Sequence, residues 1–111
     1  MKTRAVRIKL KPGSLERVRE WAAEITRRRD EAFMTLRNET IYLEAFFLEQ
    51  AVDGDYLIGV ITAESFETSK EAVEKSSYDI DAYHKQFQKD TWESGKQLEQ
   101  LVYLDRLDER G

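Results

Sequence analysis

The segment TIYLEAFFLEQAVDGDYLIGVITA, residues 40–63, decides how the rest of the chain folds. Its Asp53-Gly54 pair lies between two apolar stretches, which is the strongest short-range signal for a β-hairpin. Alternating side chains predict strands over residues 40–50 and 56–63. Both strands are apolar on both faces, whereas one layer of helices covers only one face of a sheet. The segment therefore predicts a hairpin with one face that needs a second cover.

A strand and a long helix are predicted before the hairpin. Residues 3–11 alternate, with Val6, Ile8 and Leu10 on one side, as in a half-buried strand. Residues 15–37 carry apolar side chains at spacings of three and four residues, which predicts one amphipathic helix. The chain thus begins with a strand, a helix and then the hairpin.

Two helices and a last strand are predicted after the hairpin. Helices are expected over Phe66–Lys75, with Ser65 as the N-cap, and over residues 79–94, with Gly95 as the stop. Residues 96–107 alternate again and predict the closing strand. The order is βαββαβ with the second helical region split in two, so we expect a ferredoxin-like α+β fold. Such a fold has a four-stranded antiparallel sheet with helices on one face, and we expect residues 1–111 to form one such domain.

Composition excludes several functional classes. The chain has 18 Lys and Arg against 22 Asp and Glu, a net charge of −4, and general nucleic-acid binders need an excess of cations. It has no Cys, which excludes disulfides, thiolate nucleophiles and Cys-based metal sites. No apolar run approaches the roughly 20 residues that span a bilayer, and the N-terminus has no signal-peptide core. We therefore expect a cytoplasmic protein that binds neither nucleic acid nor membrane.

The second apolar face of the hairpin favours a homodimer. Soluble monomers avoid large exposed apolar patches, and a second subunit packed sheet to sheet around a two-fold axis would cover this one. Arg7 and Lys9 would then meet Glu44 or Glu49 at the interface. The alternative is that the split helical region or the C-terminal tail covers the face within one chain.

The order and length of the elements resemble the dimeric α/β-barrel superfamily. That group includes antibiotic-biosynthesis monooxygenases, haem-degrading monooxygenases and stress-responsive barrel proteins. The resemblance extends over nearly the whole chain and implies a dimeric α/β barrel. More closely, the chain is similar to a small prokaryotic family of unknown function, which implies no transferable activity. The segments that carry this second similarity are RAVRIKLKPG (residues 4–13), VDGDY (residues 52–56), Tyr83-His84, Phe87, Thr91-Trp92 and Gly95.

The haem-degrading relatives use an Asn, a Trp and a His that ligates the iron. Here Asn38 lies near the end of the first predicted helix, not on the first strand. Trp92 follows His84, whereas in those relatives the Trp comes first. Both departures argue against haem. One His without Cys also argues against a structural zinc site, so we expect no cofactor and no metal.

His84 is the only histidine and the candidate catalytic residue. It lies on an apolar helical stripe between Ile80 and Phe87. It could act as a proton-transfer group that reaches into a cavity between helix and sheet. Alternatively, its ring is packed and hydrogen-bonded for structure. The sequence leaves both interpretations open.

Four further residues are candidate ligand contacts: Arg29, Glu44, Tyr83 and Trp92. Arg29 falls inside the apolar stripe of the first helix, and a guanidinium is costly to bury without a carboxylate or an anionic ligand. Glu44 is a matching charge on an apolar strand. The alternative for both is an internal salt bridge or a side chain whose charged end reaches solvent. Tyr83 and Trp92 would contact a ligand or pack in the core or an interface.

Two classes of function follow from these patterns. The first is a small homodimeric protein that binds a small molecule in the cleft between sheet and helices, without an assignable activity. The second is implied by the superfamily resemblance: a cofactor-independent monooxygenase- or isomerase-like enzyme acting on a small aromatic or polyketide-like substrate. The second needs an open cavity that reaches His84. A filled cleft would instead indicate a purely structural protein.

Overall fold

One antiparallel sheet and two helical regions make up the fold. The computed structural model describes residues 1–106 and residue 109. Over these residues the elements are, in order, β1 (Lys2–Leu10), α1 (Leu15–Arg27), α2 (Arg29–Asn38), β2 (Ile41–Ala51), β3 (Gly54–Ala63), α3 (Phe66–Lys75), α4 (Asp79–Thr91) and β4 (Trp92–Gln97). The strands form a four-stranded antiparallel sheet in the order β2-β3-β1-β4. This order confirms the predicted ferredoxin-like α+β fold, with the second helical region in two pieces.

The central hairpin forms where Asp53-Gly54 predicts it. β2 ends at Ala51 and β3 begins at Gly54, so the loop is Val52-Asp53. Gly54 has a φ of 141°, a backbone conformation that residues with a side chain rarely adopt. Tyr56 donates its hydroxyl hydrogen to Asp53 Oδ2 at 2.7 Å, which ties the start of β3 to the turn.

One face of the sheet packs against the helices. The residues of the buried core come from β1, β3, α1 and α4, and they are Ile8, Leu10, Val18, Trp21, Leu57 and Phe87. Phe87 has no exposed surface, and Trp21 stacks on it with ring centroids 4.4 Å apart. Full burial of a large apolar side chain contributes about 1.5–3 kcal/mol. This cluster therefore holds α1 and α4 onto the sheet.

The opposite face of the sheet is largely open. On this face Leu43 is 46% exposed and Phe47 is 58% exposed. Arg7 also lies here, and its guanidinium donates to Glu49 at 2.9 Å within the same chain. Glu44 lines the helix side of the sheet instead. Of the two acidic residues predicted to meet Arg7, it is therefore Glu49 that shares its face.

The C-terminal segment does not bury its own apolar side chains among the described residues. Residues 98–106 form neither helix nor strand. Leu101 is 83% exposed and Leu104 is 89% exposed, with Val102 nearly as open. The described part of the tail therefore adds exposed apolar surface, although its Tyr103 hydroxyl is hydrogen-bonded to Thr3 on the open face of β1.

The helix predicted over residues 15–37 is wrong as a single element, because it breaks at Arg28. Arg28 has φ −103° and ψ 33°, outside the helical region. Just before it, the Thr26 hydroxyl donates to the Ala22 carbonyl at 2.8 Å, a back-bond that bends helices. The Arg28 N–H still bonds the Glu24 carbonyl, and α2 begins at the next residue, Arg29. None of the described helices combines the length and the apolar character needed to cross a membrane.

The predicted last strand is wrong in position. β4 is Trp92–Gln97, α4 ends at Thr91, and Gly95 lies inside the strand opposite Ile8 instead of stopping the helix. The free edge of β1 is the physical reason, because its unpaired backbone groups take up the chain as soon as α4 ends. The last bond of this pairing runs from the Leu98 N–H to the Ala5 carbonyl at 2.8 Å. Residue 107, where the predicted strand ends, lies outside the described residues.

Candidate functional site

A cleft of about 910 Å³ opens between the helix side of the sheet and the helices. All four helices contribute to it, together with β1, β2, β3 and the first residue of β4. Most of the wall is apolar, and its apolar residues include Val6, Ile25, Leu36, Phe46 and Leu57. The volume is that of an ordinary ligand pocket, which spans about 300–1,000 Å³.

His84 lies in the wall of this cleft, on α4. Trp21 Nε1 donates a hydrogen bond to His84 Nδ1 at 3.1 Å. Because Nδ1 accepts, the proton of the neutral ring is assigned to Nε2. Burial lowers the pKa of His84 to about 4, although the charge of Asp81 acts in the opposite direction. The imidazole is therefore neutral at pH 7 and is a weak base there.

Aromatic rings surround His84. The ring centroids of Trp21, Phe87, Phe46 and Trp92 lie 5.7, 6.2, 6.3 and 6.3 Å from that of the imidazole. Trp21 also makes an edge contact with Phe46 at 5.1 Å. His84 is thus packed and hydrogen-bonded while it also lines the cleft. His84 therefore has both the packing that a structural role requires and the access to the cleft that a proton-transfer role requires.

Three carboxylates from separate elements act on one another in this cleft: Glu39 after α2, Glu44 on β2 and Asp81 on α4. The sequence analysis singled out Glu44 alone as a ligand contact. Glu39 and Asp81 lie 42 residues apart in the chain, and only the packing of α4 beside α2 brings them to one cavity. No local sequence pattern distinguishes Glu39, because it follows the polar end of a helix, where a charged residue is ordinary.

Glu39 is 6% exposed, and its carboxylate receives no hydrogen bond or ion pair from the described chain. Its backbone is firmly held: its N–H donates to the Thr35 carbonyl at 2.9 Å, and its carbonyl accepts from the Ser69 hydroxyl. Burial raises the pKa of Glu39 from 4.5 to about 7, with smaller contributions from Asp81 and Glu44. Near neutral pH the Glu39 side chain is therefore present in both its protonated and its ionised form.

Glu44 is accessible to solvent, yet its surroundings resemble those of a buried group. It lines the cleft, so its exposed surface faces the cavity while protein surrounds it on other sides. Burial raises the pKa of Glu44, and the charge of Asp81 raises it further. Asp81 has a partner of its own, because its Oδ2 accepts from the Ser76 hydroxyl.

Trp92 is the first residue of β4 and also lines the cleft. Its Nε1 atom is fully buried and has no acceptor among residues 1–106 and 109. Nearly all buried N–H groups in proteins are paired, and a lone one costs about 1–3 kcal/mol. Since this atom has no accessible surface although the cleft is open, protein encloses the donor and it does not face the cavity.

The other two predicted ligand contacts differ in position. Arg29 is exposed at the start of α2, lines the cleft, and lies over the Phe33 ring at 5.1 Å. Its exposure agrees with the alternative of a side chain whose charged end reaches solvent. The Tyr83 hydroxyl accepts from Arg17 at 3.2 Å, and Tyr83 is not among the residues that line the cleft. His84, Glu44, Arg29 and Trp92 thus share one cavity, and Tyr83 packs behind it.

No group of three or more metal-ligating side chains occurs among the described residues. The carboxylates of the cleft act on one another through their charges without forming a coordination cage. The arrangement is suited to a molecule larger than an ion, which can contact several of them at once.

A model of a protein family of unknown function, DUF6176, matches residues 1–109. The chain belongs to the DUF6176 family. This match confirms the predicted similarity to a family without an established activity. No curated protein matches the chain.

Among solved structures, this DUF6176 protein is similar to protein Atu4242 from Agrobacterium tumefaciens, a structural genomics target solved by X-ray crystallography. The TM-score is 0.58 at 13% sequence identity, over 88% of this chain and 89% of that one. At this identity the likeness concerns the fold alone.

Proposed function

We propose that this DUF6176 protein binds a small organic molecule in the cleft between its sheet and its helices, and that it does so as a homodimer. The observation that carries the proposal is the cleft itself, which is about 910 Å³, mainly apolar, and lined by the Glu39 carboxylate, which has no partner in the described chain. Its volume falls in the range of ordinary ligand pockets.

The open sheet face supports the dimer. Leu43 and Phe47 are exposed on it, and Leu101 and Leu104 are exposed on the tail. A second copy of the chain offers the same surfaces in return, so one two-fold interface can cover the apolar groups of both subunits. In the barrel arrangement that the superfamily resemblance implies, the two sheets pack through these faces.

A proton-transfer reaction on the bound molecule is the second candidate, and Glu39 favours it. A group whose pKa is about 7 can accept and return a proton near neutral pH, which is the requirement for general acid–base catalysis. This would correspond to the isomerase-like alternative. His84 would then contribute a hydrogen bond from Nε2, not a base, because its pKa is about 4.

The cleft can be tested by its tryptophans, since the chain has two and both line it. We expect small aromatic compounds to change the intrinsic fluorescence in a saturable way. Ala22→Phe, which places a ring in the cleft, should abolish this response. Ala23→Phe is the matched control, because Ala23 is also exposed on α1 but does not line the cleft. Equal responses in the two variants would contradict binding in the cleft.

A further inference from the structure

We infer that the cleft selects small organic cations, such as a protonated amine with an apolar body. This inference rests on the proposed binding function and adds the chemical class of the ligand. It depends on two observations: a carboxylate in the cleft that has no partner in the described chain, and a set of aromatic walls.

The carboxylate is that of Glu39. It is more than nine-tenths buried, it lines the cleft, and no donor of the described chain reaches it. A buried charge is costly unless it is paired, so a cationic ligand would supply the missing partner. Glu44 adds a second carboxylate to the same cavity, again without an ion pair in the described chain.

The cations of the chain do not supply that partner. Several line the cleft, namely Arg4, Arg19, Arg29, Lys70 and Lys85. Of these, Arg4 lies over the Phe66 ring at 4.1 Å, Arg29 lies over Phe33, and Lys85 donates to the Val73 carbonyl at 3.0 Å. All five are exposed, and within the described chain none of them forms an ion pair with Glu39 or Glu44.

The aromatic walls favour an organic cation over a metal ion. Trp21, Phe46, His84 and Trp92 line the cleft as neighbouring rings. The face of an aromatic ring attracts a cation by about 0.5–2 kcal/mol, and it contributes nothing to metal coordination by oxygen. The described residues also offer no set of three metal ligands.

The test is a matched series of three probes of similar size: phenethylamine, 2-phenylethanol and phenylacetate, which are a cation, a neutral molecule and an anion at pH 8. Binding is measured by tryptophan fluorescence and by ligand-observed NMR. We expect the cation to bind about tenfold or more tightly than the alcohol, as one charge-assisted contact allows. Glu39→Gln combined with Glu44→Gln should reduce the affinity for the cation to that for the alcohol and leave the alcohol unchanged. Glu71→Gln on α3 is the control, because Glu71 is exposed and does not line the cleft.

The outcomes separate the two proposals. Equal binding of amine and alcohol would overturn the cationic class while leaving a cleft that binds small molecules. Tightest binding of phenylacetate would overturn it in favour of an acidic ligand held by Arg29. If all three probes fail to bind to the folded wild-type protein, as judged by circular dichroism, both the cationic class and the proposed function are wrong.

Discussion

Glu39 carries a titratable group at a position where the described chain provides no donor for it. Its burial raises the energy of the charged form and leaves the neutral form almost unaffected, so the pKa rises from 4.5 to about 7. His84 shows the same physics with the opposite sign, because burial lowers its pKa to about 4. Both groups of the cleft are thus held toward their neutral forms when the cleft is empty.

The stability of the protein should therefore depend on pH through Glu39. Below pH 4.5 both the folded and the unfolded states carry the proton, so the group contributes no penalty. Between pH 4.5 and about 7 the unfolded state ionises while the folded state keeps its proton, so stability is lost across this window and stays constant above it. Glu39→Gln should raise the free energy of unfolding by about 1–3 kcal/mol at pH 8 and by less than about 1 kcal/mol at pH 5. Urea denaturation at both pH values measures this, with Glu71→Gln as the control; an effect of equal size at both pH values would contradict it.

At the scale of elements, two of the four described helices have a serine at the N-cap position, and these two differ in how they are capped. Ser65 accepts a hydrogen bond from the Thr68 N–H at 3.2 Å and so caps α3 as the sequence predicts. Ser14 stands at the same position before α1, but its side chain makes no capping bond. The Ser14 backbone is instead helical, with φ −85° and ψ −9°, and that geometry turns the hydroxyl away from the first N–H groups.

The two serines make a matched pair for measurement. Ser65→Ala removes a capping bond and should destabilise the protein by about 1 kcal/mol. Ser14→Ala removes no such bond and should change the free energy of unfolding by about 0.5 kcal/mol or less. Equal losses in urea denaturation would show that the hydroxyl at position 65 does not act as a cap.

At the scale of the whole molecule, the open sheet face and the tail are two surfaces whose apolar side chains one chain leaves exposed to solvent. A stable interface buries about 1,200–2,000 Å² in total. Apolar side chains are exposed both on the open face of β2 and β3 and on the tail. The Arg7–Glu49 pair lies on the same face and is satisfied within the chain, so its burial by a partner would cost less than the burial of two unpaired charges.

We expect the wild-type protein to be a dimer at micromolar concentration by size exclusion with light scattering. Phe47→Asp places a charge at the centre of the proposed interface and should yield a folded monomer. Met34→Asp is the control, because Met34 is 49% exposed on α2 and away from the open sheet face, and this variant should remain dimeric. A wild-type protein that is monomeric would contradict the proposed homodimer.

The sequence alone determined the elements whose signals are local. The Asp53-Gly54 turn lies within the hairpin it predicts, and α3 has the predicted bounds of Phe66–Lys75. Turn chemistry, helix capping and side-chain alternation act between residues a few positions apart, so they can be read from a short window. The element order then limited the fold to the ferredoxin-like arrangement, because few topologies satisfy it.

Tertiary structure alone decided the position of β4 and the composition of the cleft. β4 forms at residues 92–97 because the edge of β1 is there to pair with it, which no local pattern records. Glu39 and Asp81 act on each other across 42 residues of sequence, and Trp21 reaches His84 across 63. Such contacts arise from the packing of helices on a sheet, and their energies depend on burial that a single chain position does not encode.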